Sequence, residues 1–398
     1  MIAAVFLLLV AAAGHAAIWV AVINRMHALG WPHSIVKKLT KLAFFLLLAP
    51  PPLAAVWLFR VDPRALMPWH ALAANGTPAP AAIFSAYVAL CWFVAAAILV
   101  RRVKDVVLND VSAVLRFHRS RRLATSHVRH QADYPHHAIV RLPGNESLDL
   151  DLTERGLDVP RLPPALEGLS LVHLSDLHLT GKVGKPFFEE VVRASNALEP
   201  EIVALTGDLV EKTRCIDWIP GTLGRLKARY GVYFIFGNHD LRVDWRLMQR
   251  VMEDCGLVYL GGRWKVVDVR GQRVLLAGNE LPWFKPAADL SACPPRSEVP
   301  FRLLLAHSPD QLPWARRGDG DLMLAGHTHG GQIRLPLIGP VFAPSFAGVQ
   351  FASGLFHAPP TILNVSRGLS AELPLRMNCP PEIVHLTLHA GRALPKTA

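Results

Sequence analysis

Five times between residues 169 and 331 a short β-rich run breaks off into a cluster of Asp, Asn, His and Gly. Residues 169–175 run into Asp176-Leu177-His178, and residues 202–206 into Gly207-Asp208. Residues 232–236 lead to Gly237-Asn238-His239-Asp240, residues 302–306 to His307, and residues 322–325 to Gly326-His327-Thr328-His329-Gly330-Gly331. Residues 274–277 read as a further strand. A helical pattern over 186–198 joins the first two runs, and another over 245–255 follows the third. Strands alternating with helices predict an α/β layered fold. Ligands in such folds gather at the carboxyl ends of strands.

The side chains delivered there are carboxylate, amide and imidazole, with no thiolate among them. Such a set suits a hard-to-borderline divalent cation such as Mn²⁺, Fe²⁺ or Zn²⁺. Seven ligand side chains are too many for one ion, whereas two ions sharing a bridging carboxylate would use them all. Asp, Asn and Gly also serve as turn residues at strand ends. That role explains single clusters but not the histidines of Gly-Asn-His-Asp and Gly-His-Thr-His.

The N-terminal part has a different texture. Three runs, at about 1–23, 42–59 and 81–100, are apolar all round and near the ~20 residues that a helix needs to cross a bilayer. Residues 1–150 hold 15 Lys/Arg against 6 Asp/Glu, while residues 151–398 hold 27 against 25. The basic part therefore coincides with the apolar part, which points to a membrane and its anionic head groups rather than to nucleic acid. Arg25, Lys37, Lys38 and Lys41 lie between the first two runs, and Arg101, Arg102 and Lys104 follow the third. Basic loops stay cytoplasmic, so three spans place the C-terminal part in the cytoplasm of a multi-pass inner-membrane protein. Five cysteines without a CxxC pair agree with a reducing compartment. Residues 103–117 read as an amphipathic helix, and 101–137 as a basic juxtamembrane helix and linker, with His130, His136 and His137 in the linker.

Taken together, Asp-x-His, Gly-Asp, Gly-Asn-His-Asp, a lone His and Gly-His-x-His, in that order, resemble the calcineurin-like metallophosphoesterases. The resemblance covers roughly 138–390 of a domain read as 138–398. With SDLHL, LTGDLV, FGNHD and GHTHGGQ it looks closest to a bacterial membrane-linked branch, which includes enzymes similar to UDP-2,3-diacylglucosamine hydrolases of lipid A synthesis. It implies a four-layer αββα sandwich, here preceded by about three transmembrane helices, with two divalent ions, Mn²⁺ favoured, at strand ends. Asp176, His178 and His329 resemble ligands of the first ion, and Asn238, His307 and His327 those of the second. Asp208 resembles the bridging carboxylate. His239 resembles the residue that protonates or stabilises the leaving oxygen, with Asp240 orienting its ring.

Elementary chemistry agrees. A phosphodiester is anionic and repels hydroxide; two cations neutralise that charge and lower the pKa of a bridging water that attacks phosphorus in line. An alkoxide leaving group still needs a proton, which an imidazole of ordinary pKa ~6.5 can supply. The leading expectation is thus a membrane-bound dimetal phosphoesterase acting on a lipid-linked phosphodiester or pyrophosphate, UDP-2,3-diacylglucosamine being one candidate. A broad phosphodiesterase or phosphatase on soluble substrates is the first alternative, and a non-catalytic metal- or partner-binding membrane protein the second. An apolar groove or cap would separate the first two. Leu281-Pro282-Trp283-Phe284 and residues 335–356 are the stretches that would form one.

Overall fold

The computed structural model describes residues 2–50, 79–108, 111–125 and 138–391. The chain divides into two units, Met1–Asn109 and Asp110–Ala398.

The first unit contains helices α1 (Ile2–Ala28), α2 (His33–Leu48) and α3 (Ala79–Leu108). Within α1 and α3, Phe6–Ala28 and Ile83–Lys104 are long and apolar enough to cross a membrane. His15 of α1 keeps its polar atoms occupied. Its Nδ1 lies 2.6 Å from the Tyr87 hydroxyl and its Nε2 3.1 Å from the carbonyl oxygens of Leu46 and Leu47. A polar group in an apolar helix must be satisfied in this way. Of the expected span at 42–59, α2 supplies the part up to Leu48; residues 51–78 lie outside the described residues. The linker histidines His130, His136 and His137 lie outside them as well.

The expected helix over 103–117 stops at Leu108, and Leu115–Arg122 is instead a strand, β1. Its basic residues find acids on the neighbouring strand β2 (Asp151–Val159): Arg116 donates to Asp158 (2.6 Å) and Arg122 to Asp151 (2.6 Å). Val111, Val114 and Leu115 join the apolar cluster of the second unit, so their spacing served a β edge rather than a lipid interface.

The second unit is built on two sheets. One has the order β1, β2, β15 (Glu382–Ala390), β3 (Leu169–Leu174), β4 (Ile202–Thr206), β5 (Val232–Ile235), β6 (Val258–Tyr259). The other runs β13 (Gly354–Ala358), β14 (Thr361–Val365), β10 (Leu322–Ala325), β9 (Phe301–Ala306), β8 (Gln272–Asn279), β7 (Trp264–Val269). Strands β3, β4 and β5 are mutually parallel, and so are β8, β9, β10 and β14. Strands buried on both faces read as near-continuous apolar runs, as these do.

Side-chain alternation sorts the layers. On β3, Val172 and Leu174 pack with Phe187 and Val191 of helix α4 (Lys185–Asn196) and Met248 of α5 (Trp245–Asp254). Leu169 and Leu171, one residue out of phase, meet Leu303, Leu305 and Leu322 of the opposite sheet. On β9, Leu304 and Ala306 turn the other way, to Leu312 and Ala315 of the helical segment α6 (Leu312–Arg317) and its approach. The layer order is therefore helix, sheet, sheet, helix. Each large apolar side chain buried in it is worth roughly 1.5–3 kcal/mol over exposure. Helix α5 is N-capped by Asp244, whose carboxylate accepts from Leu247 N at 3.0 Å.

Candidate functional site

The parallel strands of both sheets end at one edge, and the motif residues leave from those ends. Asp176 and His178 follow β3, Asp208 follows β4, and Asn238 and His239 follow β5. His307 follows β9, and His327 and His329 follow β10. Asp176, His178, Asp208, His327 and His329 all adopt left-handed backbone, with φ of 52°, 42°, 52°, 71° and 51°. Asp and His tolerate that region better than most residues, and such strain collects where a site over-determines it. Gly237 allows the β5 loop to pass close by: a Cβ there would overlap the Asp208 carboxylate and the His307 ring.

Two groups result among the expected ligands, beside a third made of His178, Glu211 and His239. Asp176, His178, Asp208 and His329 each offer one ligand atom within 4.8 Å of the others, and so do Asp208, His307 and His327. Asp208 belongs to both. Asn238 Oδ1 joins the second group, 3.1 Å from His307 Nε2. His178 Nε2 lies 3.2 Å from His329 Nε2, and Asp208 Oδ2 lies 3.5 Å from His178 Nε2 and 3.4 Å from His307 Nε2. Ligands ~2.0–2.2 Å from a common ion stand about this far apart. Asp208 Oδ2 is buried and accepts no hydrogen bond from the described residues. A buried, unsatisfied carboxylate oxygen between two imidazole-bearing groups fits a pair of cations.

The electrostatics concentrate on the shared carboxylate. Burial works to raise Asp208, but the charges of His307 and His239 outweigh it and hold Asp208 well below the usual carboxylate range. Burial works to lower His307, yet Asp208 carries it up to about 9.

His239 stands beside the first group. Its backbone N donates to Asp208 Oδ1 (2.8 Å), and its ring meets the His178 ring edge-on with centroids 4.5 Å apart. The ring's Nδ1 lies 2.9 Å from Glu211 Oε1, while the other Glu211 oxygen lies 3.2 Å from His178 Nδ1. Arg242 also pairs with Glu211. Burial would raise the Glu211 carboxyl, but its bonds to His178 and His239 hold it well below the ordinary range.

Asp240 does not take the place beside the His239 ring expected of it. Its carboxylate accepts from the backbone N–H groups of Leu209 (2.8 Å), Val210 (3.0 Å) and Gly237 (2.8 Å), and burial pushes it up to about 7. Asp240 therefore ties the β4 and β5 loops together, and the carboxylate that orients His239 is Glu211. Sequence reading passed over Glu211. Its one signal was its place at the end of Gly-Asp-Leu-Val-Glu, three residues after Asp208.

Trp283 was also under-read. Its ring lies 4.7 Å from that of His327 and 5.4 Å from that of His307, whereas its neighbour Phe284 packs on Phe236 and Trp245. Arg367 is committed to Asp151 and Glu382 at 3.2 and 3.0 Å, and Arg334 donates to Gly330 O at 2.8 Å. His173 is fully buried between Thr206 Oγ1 (2.8 Å) and Asn364 Nδ2 (3.0 Å), and burial pushes it down to about 3.

The sequence profile of the calcineurin-like phosphoesterases matches residues 169–331. YkuE of Bacillus subtilis, an uncharacterized metallophosphoesterase, is 30% identical over 248 residues, 60% of this chain and 85% of that protein. Phosphodiesterase YaeI of Escherichia coli is 30% identical over 224 residues, 55% of this chain and 81% of that protein. More distantly, the UDP-2,3-diacylglucosamine pyrophosphatase LpxG of Chlamydia trachomatis is 24% identical over 290 residues, 59% of this chain and 88% of that protein.

Proposed function

The chain belongs to the calcineurin-like phosphoesterase family, hydrolases of phosphoester bonds, and on that premise we propose that it is a membrane-bound dimetal enzyme acting on a lipid-linked phosphodiester or pyrophosphate. The observation that carries the reading is the sharing of Asp208 between two ligand groups at the common edge of both sheets. Asp176, His178 and His329 would hold one divalent ion, Asn238, His307 and His327 the other, and Asp208 would bridge them. Mn²⁺ is the first candidate for both, ahead of Fe²⁺ and Zn²⁺. Bound there, the ions supply charge neutralisation of the phosphate and a water of lowered pKa.

The remaining work falls to side chains. His239, with its side chain 14% exposed beside the wholly buried His178, faces the cleft and protonates the leaving oxygen. Glu211 accepts the Nδ1 proton of His239, which leaves Nε2 as the atom that carries the transferable proton. Trp283 offers an aromatic face beside His307 and His327 for the apolar or cyclic part of the substrate.

The membrane part of the proposal rests on Phe6–Ala28 and Ile83–Lys104 and on the basic charge around them. Together with the third span expected from the sequence at 42–59, which sets residues 25–41 and 101–104 on one side, they favour an inner-membrane protein with a cytoplasmic catalytic unit. UDP-2,3-diacylglucosamine is the first substrate to test, because the similar LpxG acts on it. The full chain, purified in detergent with Mn²⁺, is to be assayed on UDP-2,3-diacylglucosamine beside bis- and mono-p-nitrophenyl phosphate. Turnover of the lipid nucleotide well above that of both nitrophenyl esters supports the proposal. Preference for the nitrophenyl esters defeats its lipid part, and no Mn²⁺-dependent turnover of any of them defeats the whole.

A further inference from the structure

The chain that leaves the His327–His329 loop forms an apolar hairpin. Its strands, β11 (Arg334–Leu335) and β12 (Gly339–Pro340), pair antiparallel. Residues 335–351 contain no charged side chain. At the tip Leu337 is fully exposed (110%) and Ile338 is 57% exposed, and Leu335, Phe342 and Phe346 are exposed behind them. A contiguous apolar surface of this kind marks a contact with something other than water.

The base of the hairpin is fixed. Arg334 N donates to Met377 O (2.9 Å), Asn378 Nδ2 to Arg334 O (2.9 Å), and Ser345 Oγ to Asp310 Oδ1 (2.7 Å). A Cβ on Gly331 would overlap Pro340, so the second strand lies directly on the turn that carries His329. The tip is thus an apolar projection held by the same loop that carries two candidate metal ligands.

We propose that this hairpin is a membrane-inserting finger: Leu337 and Ile338 enter the acyl region of a bilayer and hold the cleft among head groups, where the phosphoester of an acylated substrate lies. The proposal rests on the membrane-bound reading above. Three observations favour lipid as the occupant. The chain carries two helices fit to cross a membrane, which keeps a bilayer at high effective concentration. The surface is a convex tip and not a groove, which suits fluid acyl chains. Exposed Arg141 and Leu142 line one cavity with Met377 and Asn378 at the finger's base, where Glu146 and Asp149 are paired with Arg122 at 3.6 and 2.9 Å and Arg141 offers a cation to anionic head groups.

Two measurements on the full chain, reconstituted in phosphatidylcholine–phosphatidylglycerol vesicles, test this. In the first, L337W is compared with the unsubstituted chain in lipids brominated along the acyl chain. The fluorescence added by the substitution should be quenched; added emission typical of water and untouched by bromine overturns the finger. In the second, L337S/I338S is assayed with Mn²⁺ on the p-nitrophenyl ester of a long-chain phosphatidic acid in the vesicles, and on soluble bis-p-nitrophenyl phosphate. The leaving group is the same, and only the presentation differs. Two lost apolar side chains should lower the vesicle rate at least ~10-fold and the soluble rate less than ~2-fold. Equal change on both overturns the proposal. Failure of the unsubstituted chain to hydrolyse either ester would defeat the phosphoesterase reading separately, and the quenching would still decide the finger.

Discussion

Glu211→Gln isolates the carboxylate that sequence reading missed. Glu211 Oε1 holds His239 Nδ1 at 2.9 Å and its other oxygen holds His178 Nδ1 at 3.2 Å, so one substitution acts on the proposed acid and on a candidate metal ligand together. The two effects separate by metal concentration. Loss of an outer carboxylate from a ligating histidine costs about 10–100-fold in metal affinity, which excess Mn²⁺ restores. The effect on His239 is not restored. A hydrogen bond to a charged group contributes about 1.5–3 kcal/mol, so at saturating Mn²⁺ kcat should fall roughly 10- to 150-fold. His239→Ala should fall further, in the range ~10²–10⁴ for loss of a positioned acid, while retaining its metal.

The assay compares bis-p-nitrophenyl phosphate with an alkyl or sugar diester. Nitrophenolate departs readily without a proton, so both variants should look less damaged on it. Because Glu211 acts through His239, the double variant E211Q/H239A should be little worse than H239A alone. Equal losses on both leaving groups, or a double variant whose loss is the product of the single ones, refutes the pairing. Loss of metal from H239A would instead make His239 a ligand.

Asp208→Asn should lower occupancy of both ions in elemental analysis, whereas Asp176→Asn should weaken mainly one; two ions retained in D208N would remove Asp208 from its bridging place. A reporter fused after Ala398 should behave as cytoplasmic, and its export would reverse the proposed orientation. His173, held near pKa 3 by burial against ~6.5 in the unfolded chain, stays neutral while the unfolded chain takes up a proton. Its share of stability is therefore present above pH ~6.5 and lost as pH falls, by about 3 kcal/mol at pH 4.5. The thermal midpoint of the detergent-purified chain should drop more between pH 7 and 4.5 than that of H173Q, and parallel drops would count against it.

The convergence of the seven candidate ligand side chains at one edge was legible because each chemical group is written beside the strand end that places it. A β-rich run followed by Gly and then Asp, Asn or His states both the position and the chemistry within a few residues. What escaped was non-local. Asp240 follows His239 in the chain, but the turn between them carries its carboxylate to the amides of Leu209, Val210 and Gly237. Glu211, distant from His239 in sequence, is the residue the parallel β4–β5 pairing brings to its ring.

Strand β1 was misread for the same reason. Val111, Val114 and Leu115 satisfy a helical period, and the acids that hold Arg116 and Arg122 in a sheet stand on β2, far along the chain. Periodicity reports which residues are buried together only once the partner surface is known. The apolar hairpin is the converse case. Its lack of charge is plain in residues 335–351, but an apolar run in a sequence is ordinarily a core segment. Only the exposure of Leu337 and Ile338, on a base pinned to the His329 turn, marks that run as a surface, the one proposed to meet lipid.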